Sequence, residues 1–146
     1  MLTKSATVNV MEGAARRAAR GLLRDFGEVE HLQVSRKGPA DFVSTADLKA
    51  ENILLEWLSR ARPDYGILME ERGIREGADA SNRWIVDPLD GTTNFLHGVP
   101  QFSISIAHER DGEIIASAIL DPVRDELFWA ERNLGAFLNQ SRIRVS

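Results

Sequence analysis

Carboxylates stand at the ends of two short apolar segments of the chain. Glu70 and Glu71 end the first segment, Asp87 ends the second, and Asp90 follows three residues later. Carboxylates that converge on one place repel one another unless a cation is bound between them. The chain contains no cysteine, so the pattern favours oxygen ligation of a hard ion such as Mg²⁺.

The segment from Asp87 to Gly91 has the composition of a tight turn. Pro88 fixes one backbone dihedral and Gly91 permits conformations that other residues avoid. Such a turn could bring Asp87 and Asp90 to one point with the carbonyl of Leu89 between them. Asp, Pro and Gly are also ordinary turn residues, so the spacing alone leaves open a cation site and a solvated acidic loop.

Thr92 and Thr93 follow this turn directly. Hydroxyls at such a place most often cap the beginning of a helix. They can equally align a water molecule for attack on a substrate. The sequence pattern leaves both uses open.

Charge and composition limit the class of protein. The 146 residues are 43% hydrophobic and 27% charged, which predicts one globular domain and excludes wholesale disorder. Seven acidic and three basic residues lie between Asp64 and Asp90, so this window holds the entire formal net charge of −4. The lack of cysteine excludes disulfides, thiolate metal sites and a cysteine nucleophile.

Hydropathy predicts a cytoplasmic protein. No apolar run approaches the ~18 residues of a membrane span, and the first residues, MLTKSATVNV, lack the apolar core of a signal peptide. There is neither a glycine-rich nucleotide loop nor a G-x-S-x-G motif. The three histidines are isolated from one another, so packing or solvent contact is expected for them rather than catalysis.

Apolar spacing predicts two helices in the first half. The first carries a stripe from Val8 to Phe26 and ends at Gly27. The second begins near Ser44, where Ser44 and Asp47 resemble a capping box, and Pro63 stops it. A short strand is predicted over His31 to Arg36, between the helices.

The second half alternates with period two. Asp111-Gly112 is a strong hairpin signal, with strands predicted before and after it. Further strands are predicted around Leu127 to Ala130, Ala136 to Leu138 and Ile143 to Val145, and residues 72–82 are predicted to be a loop. The expected architecture is α+β, with two helices layered on an antiparallel β-sheet.

The nine residues from Asp87 to Phe95 resemble the first signature of the inositol monophosphatase family, which belongs to the lithium-sensitive, Mg²⁺-dependent phosphatases. Asp41 to Asp47, Glu70-Glu71 and Gly135 to Asn139 are similar to other segments of that family. Val34 to Asp41 resembles its bacterial SuhB-type branch. The resemblance covers essentially the whole chain and implies the first domain of the fold shared by inositol monophosphatases and fructose-1,6-bisphosphatases.

The resemblance also implies metal ligands. Glu70, Asp87 and the Leu89 carbonyl would hold one Mg²⁺, and Asp87 and Asp90 would share a second. Glu71 is implied as a ligand or neighbour of a third, weaker Mg²⁺. Two such ions lower the pKa of a water molecule and neutralise the leaving oxygen of a phosphate monoester.

Catalytic and substrate roles follow from the same resemblance. Glu70 and Thr92 would orient the attacking water, and Asp47 would support Thr92 through a hydrogen bond. The backbone amides of Gly91 and Thr92 would hold the phosphate. The full substrate-binding set implied is Asp90, Gly91, Thr92 and Thr93.

Three departures from the family pattern stand out. Met69 and Arg72 flank the glutamate pair where the family often has small residues, which is expected to alter only the rim of the site. Asn133 stands where glycine is common, and asparagine tolerates the left-handed backbone needed there. Family members run to roughly twice this length, and their second Trp-Asp-x-Ala-Ala-Gly-like signature has no counterpart among the 146 residues.

The resemblance therefore predicts that residues 1–146 form an N-terminal metal-binding domain that is weak or inactive alone. The predicted whole protein hydrolyses inositol-1-phosphate and is a homodimer. Fructose-1,6-bisphosphate or a 3′-phosphonucleotide remains an alternative substrate. A regulatory protein that binds nucleic acid or the transcription machinery is an alternative of another class, and its only support is a cluster of basic residues: Arg16, Arg17, Arg20 and Arg24.

Overall fold

A computed structural model describes residues 3–32, 38–70 and 72–146. The two long helices are α1, Ala6–Leu32, and α2, Gly38–Ala61, and a short helix α3 covers Thr92–Leu96. The helices α1 and α2 pack against each other and against the sheet. The eight strands are β1 Tyr65–Met69, β2 Gly73–Arg75, β3 Asp79–Asp90, β4 Ser103–Arg110, β5 Glu113–Asp121, β6 Glu126–Glu131, β7 Gly135–Leu138 and β8 Ser141–Ile143.

The strands form one sheet in the order β2-β1-β3-β4-β5-β6-β7-β8. The predicted α+β class is confirmed, but the sheet is mixed rather than antiparallel. β1 and β3 are parallel, while the pairs from β3 to β8 are antiparallel. Parallel neighbours need a crossover, and here the connection is residues 70–78, which include β2.

The core lies between the helices and the sheet. Trp84 on β3 and Ile106 on β4 are fully buried beneath α1 and α2. The α1 stripe is buried as predicted, since Val8, Ala15 and Leu22 are at most 1% exposed. Amphipathic spacing therefore identified the face of α1 that packs on the sheet.

Both predicted helix boundaries between α1 and α2 are wrong. α1 continues through Gly27 to Leu32, because Val29 is also buried and extends the packed stripe. α2 begins at Gly38, so Ser44 lies inside the helix rather than at its cap. The predicted strand over 31–36 is also wrong at residues 31–32, which are helical, and its remaining residues lie outside the described ranges.

The hairpin chemistry of the second half is confirmed. Asp111 and Gly112 connect β4 to β5 with φ values of 50° and 81°, the conformation expected of such a two-residue turn. Asn133 has a φ of 68° in the β6–β7 turn, as expected for an asparagine that replaces glycine. The predicted loop over 72–82 contains β2 and the beginning of β3.

Among the described residues, no helix has the length and apolar character needed to cross a membrane.

Candidate functional site

The parallel strand pair brings Glu70 and Asp87 to the same edge of the sheet. Met69 in β1 is paired with Val86 in β3, and each carboxylate residue is the next one along its chain. Adjacent strands lie about 4.8 Å apart. Two acidic residues that are distant in sequence therefore follow directly on one paired position of the neighbouring strands β1 and β3.

A hydrogen bond within the turn orients Asp87. Its Oδ1 accepts a hydrogen bond from the backbone amide of Leu89 at 3.2 Å. Asp87 pairs with Ser105 and Asp90 with Ser103 across β3 and β4, and the register is irregular between the two pairs. The irregularity re-aims the end of β3, as bulges do, and leaves Asp90 exposed at the edge of the sheet.

Gly91 holds the conformation that turns β3 into α3. Its φ is 95° and ψ is 38°, the left-handed region, and it stands at the N-cap of α3. A side chain here would also collide with neighbours, since a Cβ would lie 3.0 Å from the carbonyl oxygen of Gln101. Glycine is therefore required at this position by both backbone conformation and space.

Aromatic packing fixes α3 beneath α1. Phe95 of α3 is fully buried, and its ring centroid lies 5.5 Å from that of Phe26 and 5.0 Å from that of Phe102. The side chain of Asn94 donates a hydrogen bond to the carbonyl of Gln101 at 2.9 Å. The turn after β3 is thus attached to the core on one side and to the following loop on the other.

Asp47 lies in α2 and is 5% exposed. α2 packs against α3, whose first residues, Thr92 and Thr93, are both exposed. The fold therefore brings the helix of the predicted supporting aspartate next to the helix of the predicted hydroxyls. The hydrogen bond from Thr92 to Asp47 remains a prediction.

The donors gathered at this edge fit part of a site for a hard divalent cation. Glu70, Asp87, Asp90 and the Leu89 carbonyl carry oxygen atoms, the ligand type that Mg²⁺ prefers. Glu71, the predicted neighbour of a third ion, lies outside the described residues. Within the described part of the chain, no group of three or more His, Asp or Glu side chains is arranged to hold a metal ion.

The acidic window is divided by the fold. Asp79 begins β3, at the opposite end from Asp87, and its carboxylate accepts hydrogen bonds from the side chain of Asn82 and the amide of Ser81. These bonds lower the pKa of Asp79. Asp64 lies at the same end, where its carbonyl accepts a hydrogen bond from the Asp79 amide at 2.8 Å. The net charge is therefore not concentrated at the candidate cation site, contrary to the simplest interpretation of the window.

The basic face of α1 is partly engaged in contacts within the protein. Arg16 forms ion pairs with Glu12 at 2.8 Å and Asp125 at 2.6 Å. The guanidinium of Arg17 lies 3.5 Å from the ring centroid of Trp57. Two of the four clustered arginines thus have structural partners, which weakens their support for a nucleic-acid interface.

The histidine expectation holds for His108, which is 1% exposed. Its ring stacks on Tyr65 at 5.2 Å and its Nε2 lies 2.8 Å from Oδ1 of Asn82. Burial, and then the charges of Arg110 and Arg62, lower the pKa of His108. It is a core residue paired with Trp84 of β3, three positions along the strand from Asp87.

Sequence analysis missed two buried acids near the site. Glu51 of α2 is 0% exposed and Asp121 at the end of β5 is 6% exposed. Asp121 accepts hydrogen bonds from the amides of Val123 and Arg124, which is ordinary turn chemistry. Glu51 follows Asp47 by four residues on α2, and this helical spacing was the available signal.

Comparison with known proteins identifies relatives over nearly the whole chain. Residues 4–146 match the inositol monophosphatase family. The chain is 61% identical over 145 residues to an inositol-1-monophosphatase of Mesorhizobium japonicum, a match that covers 99% of this chain and 54% of that protein. It is 45% identical over 139 residues to the Nus factor SuhB of Xylella fastidiosa, covering 95% of this chain and 50% of that protein.

A solved structure has the same fold. The extragenic suppressor protein suhB from Bartonella henselae superposes with a TM-score of 0.87 and 60% sequence identity. The superposition covers 97% of this chain and 55% of that one. The chain thus spans about half the length of the curated relatives it matches.

Proposed function

This chain belongs to the inositol monophosphatase family, and we propose that it carries the cation-binding part of an active site that hydrolyses a phosphate monoester. The observation that carries the proposal is the pairing of Met69 with Val86 across parallel strands. It places Glu70 beside Asp87 at one edge of the sheet, where the turn to Asp90 begins.

Glu70, Asp87, Asp90 and the Leu89 carbonyl are the proposed ligands of Mg²⁺. Bound Mg²⁺ would supply a Lewis acid that activates water and offsets charge on the phosphate. The carboxylates would repel one another less with the cations bound. The left-handed Gly91 orients the start of α3 toward the same edge.

Thr92 and Glu70 are the proposed residues that orient the attacking water, and Asp47 supports Thr92 through a hydrogen bond. The amides of Gly91 and Thr92, with Asp90 and Thr93, are proposed to orient the phosphate. Catalysis then depends on position and electrostatics, and no covalent intermediate with the protein is required.

The proposed substrate is inositol-1-phosphate, supported by the name of the Mesorhizobium japonicum relative. Fructose-1,6-bisphosphate and a 3′-phosphonucleotide are rivals. The length of the relatives, of which this chain covers about half, supports a further proposal. The 146 residues form one domain of a two-domain site, and the other domain supplies the remaining ligand and most contacts to the sugar ring.

The test joins this chain to the second half of the Mesorhizobium japonicum protein. Phosphate release from the three monoesters is measured with and without Mg²⁺, for the joined protein and for the 146-residue chain. We expect Mg²⁺-dependent turnover of inositol-1-phosphate by the joined protein and little by the chain alone. Comparable turnover by both would overturn the two-domain proposal. A folded joined protein without turnover of any monoester would overturn the phosphatase proposal.

A further inference from the structure

The segment that carries Glu70 is a short connection between two paired strands. Met69 of β1 pairs with Gly73 of β2, so only residues 70–72 lie between the paired positions. Gly73 has a φ of 72°, in the left-handed region. The strands hold both ends of this connection, but β2 has only three residues at the edge of the sheet. Contacts between this connection and the rest of the protein add to what the two strands hold.

Arg72 supplies such a contact to α2. Its Nε lies 3.2 Å from Oε1 of Glu51, and its Nη2 donates a hydrogen bond to Oδ1 of Asn52. Glu51 is 0% exposed, whereas the Arg72 side chain is 38% exposed. The guanidinium of Arg72 thus contacts two residues on one turn of α2, while the backbone of Arg72 belongs to the connection that carries Glu70.

The ion pair has a physical reason to persist. A buried carboxylate is costly to leave without a charged partner, and a hydrogen bond between ionised groups is stronger than a neutral one. Glu51 also lies four residues after Asp47, so the two acids share one face of α2. Arg72 therefore connects the Glu70 segment to the helix face that carries Asp47.

We propose that Arg72 is a positioning residue that holds Glu70 in register with Asp87 by attaching the β1–β2 connection to Glu51. The inference rests on the proposed function, because it takes Glu70 as a cation ligand. Arg72 touches neither substrate nor cation in this role. The side chain that departs from the family pattern thus shapes the placement of a ligand rather than only the rim of the site.

The experiment has two readouts, one of which needs no cation. Hydrogen–deuterium exchange of peptides covering residues 66–75 is measured in the metal-free joined two-domain protein, and Mn²⁺ affinity of the same protein is measured by calorimetry. Arg72→Met removes the charge while keeping much of the apolar stem, and Arg72→Lys restores the charge. The matched control is Arg60→Met. This substitution breaks an exposed ion pair between Arg60 and Glu56, which lie 3.0 Å apart on α2.

We expect Arg72→Met to exchange faster at residues 66–75 and to bind Mn²⁺ about tenfold more weakly, the usual scale for residues that support metal ligands. Arg72→Lys should partly restore both the exchange rate and the Mn²⁺ affinity of the wild type. Arg60→Met should change neither quantity. If Arg72→Met does not fold, the double variant Glu51→Gln with Arg72→Met removes both charges and should show the same two changes.

Exchange and affinity within twofold of wild type for a folded Arg72 variant would overturn the positioning role, even if its melting temperature fell. A wild-type protein that does not bind Mn²⁺ would contradict the proposed function instead. In that case the exchange of the metal-free protein still decides whether Arg72 fixes the connection.

Discussion

The backbone amide of Leu89 donates a hydrogen bond to Oδ1 of Asp87 across 3.2 Å. An aspartate that accepts from the amide two residues later closes its own turn. The protein itself therefore orients the Asp87 carboxylate, and this is the preorganisation that the proposed role as a cation ligand requires.

Replacing Asp87 with Asn tests the charge of this side chain without removing its hydrogen bond in the turn. The amide oxygen of asparagine can still accept from Leu89, so the turn should survive while one negative charge is lost. In the joined two-domain protein, we expect Asp87→Asn to weaken Mn²⁺ binding and to lower the rate of phosphate release at least about tenfold, which is ~1.4 kcal/mol. Calorimetry and a phosphate assay measure the two effects.

Asp79→Asn is the matched control for this variant. Asp79 also accepts from the amide two residues later, at 2.9 Å, but lies at the other end of β3. Asp79→Asn should leave both the Mn²⁺ affinity and the rate of phosphate release within twofold of wild type. Equal effects of the two variants would argue that overall charge, rather than a site at Asp87, governs cation binding.

Gly91→Ala should destabilise the protein by about 1–3 kcal/mol, the usual range for a strained backbone position. The added methyl group would occupy a φ of 95° and meet the Gln101 carbonyl at 3.0 Å. Urea unfolding measures the change. Gly13→Ala is the control, because nothing lies within 4 Å of a Cβ there and alanine favours helices by up to ~1 kcal/mol. A Gly91 variant as stable as wild type would contradict the assigned backbone.

Stability should fall as the pH falls below the ordinary histidine pKa of about 6.5, partly because of His108. Burial, then Arg110 and Arg62, lower its pKa in the folded protein, so the unfolded chain binds a proton first. The contribution of His108 to stability is complete above the pKa that it has in the unfolded chain. This contribution is lost as the pH falls toward the pKa that it has in the folded protein.

The pH effect is measured as the free energy of unfolding between pH 7.5 and 5 for wild type, His108→Phe and the control His97→Gln. The phenyl ring keeps the stacking on Tyr65 and Trp84 and removes the titration. We expect a shallower decline for His108→Phe and a wild-type slope for the exposed His97 variant. Identical slopes for all three would show that His108 does not contribute.

Strong local signals made part of the fold predictable. The turn between β4 and β5 needs two residues with positive φ, and Asp111-Gly112 is a residue pair that adopts this conformation readily. Spacing also identified the buried stripe of α1. The beginning of α2 was missed because the resemblance of Ser44 and Asp47 to a capping box was taken as the helix start. Proline is well tolerated in the first turn of a helix, and Pro39 is the second residue of α2.

The arrangement of the site was less accessible from sequence. The sequence showed that Glu70 and Asp87 have side chains able to bind a cation. That they follow paired positions depends on the parallel pairing of β1 and β3, which hydrophobic periodicity does not encode. The same limit applies to Arg72 and Glu51, which lie 21 positions apart in sequence and meet only because α2 packs beside β1.

The central claim is that Glu70 is a cation ligand at the edge it shares with Asp87. The most direct measurement is the Mg²⁺ dependence of phosphate release from inositol-1-phosphate by the joined protein, with Glu70→Gln compared against Glu76→Gln. Both substitutions remove one acidic charge from the same window, but Glu76 follows β2 and lies away from this edge. We predict that Glu70→Gln abolishes most Mg²⁺-dependent release and that Glu76→Gln retains it. Full activity of the Glu70 variant at the same Mg²⁺ concentration would contradict the assignment.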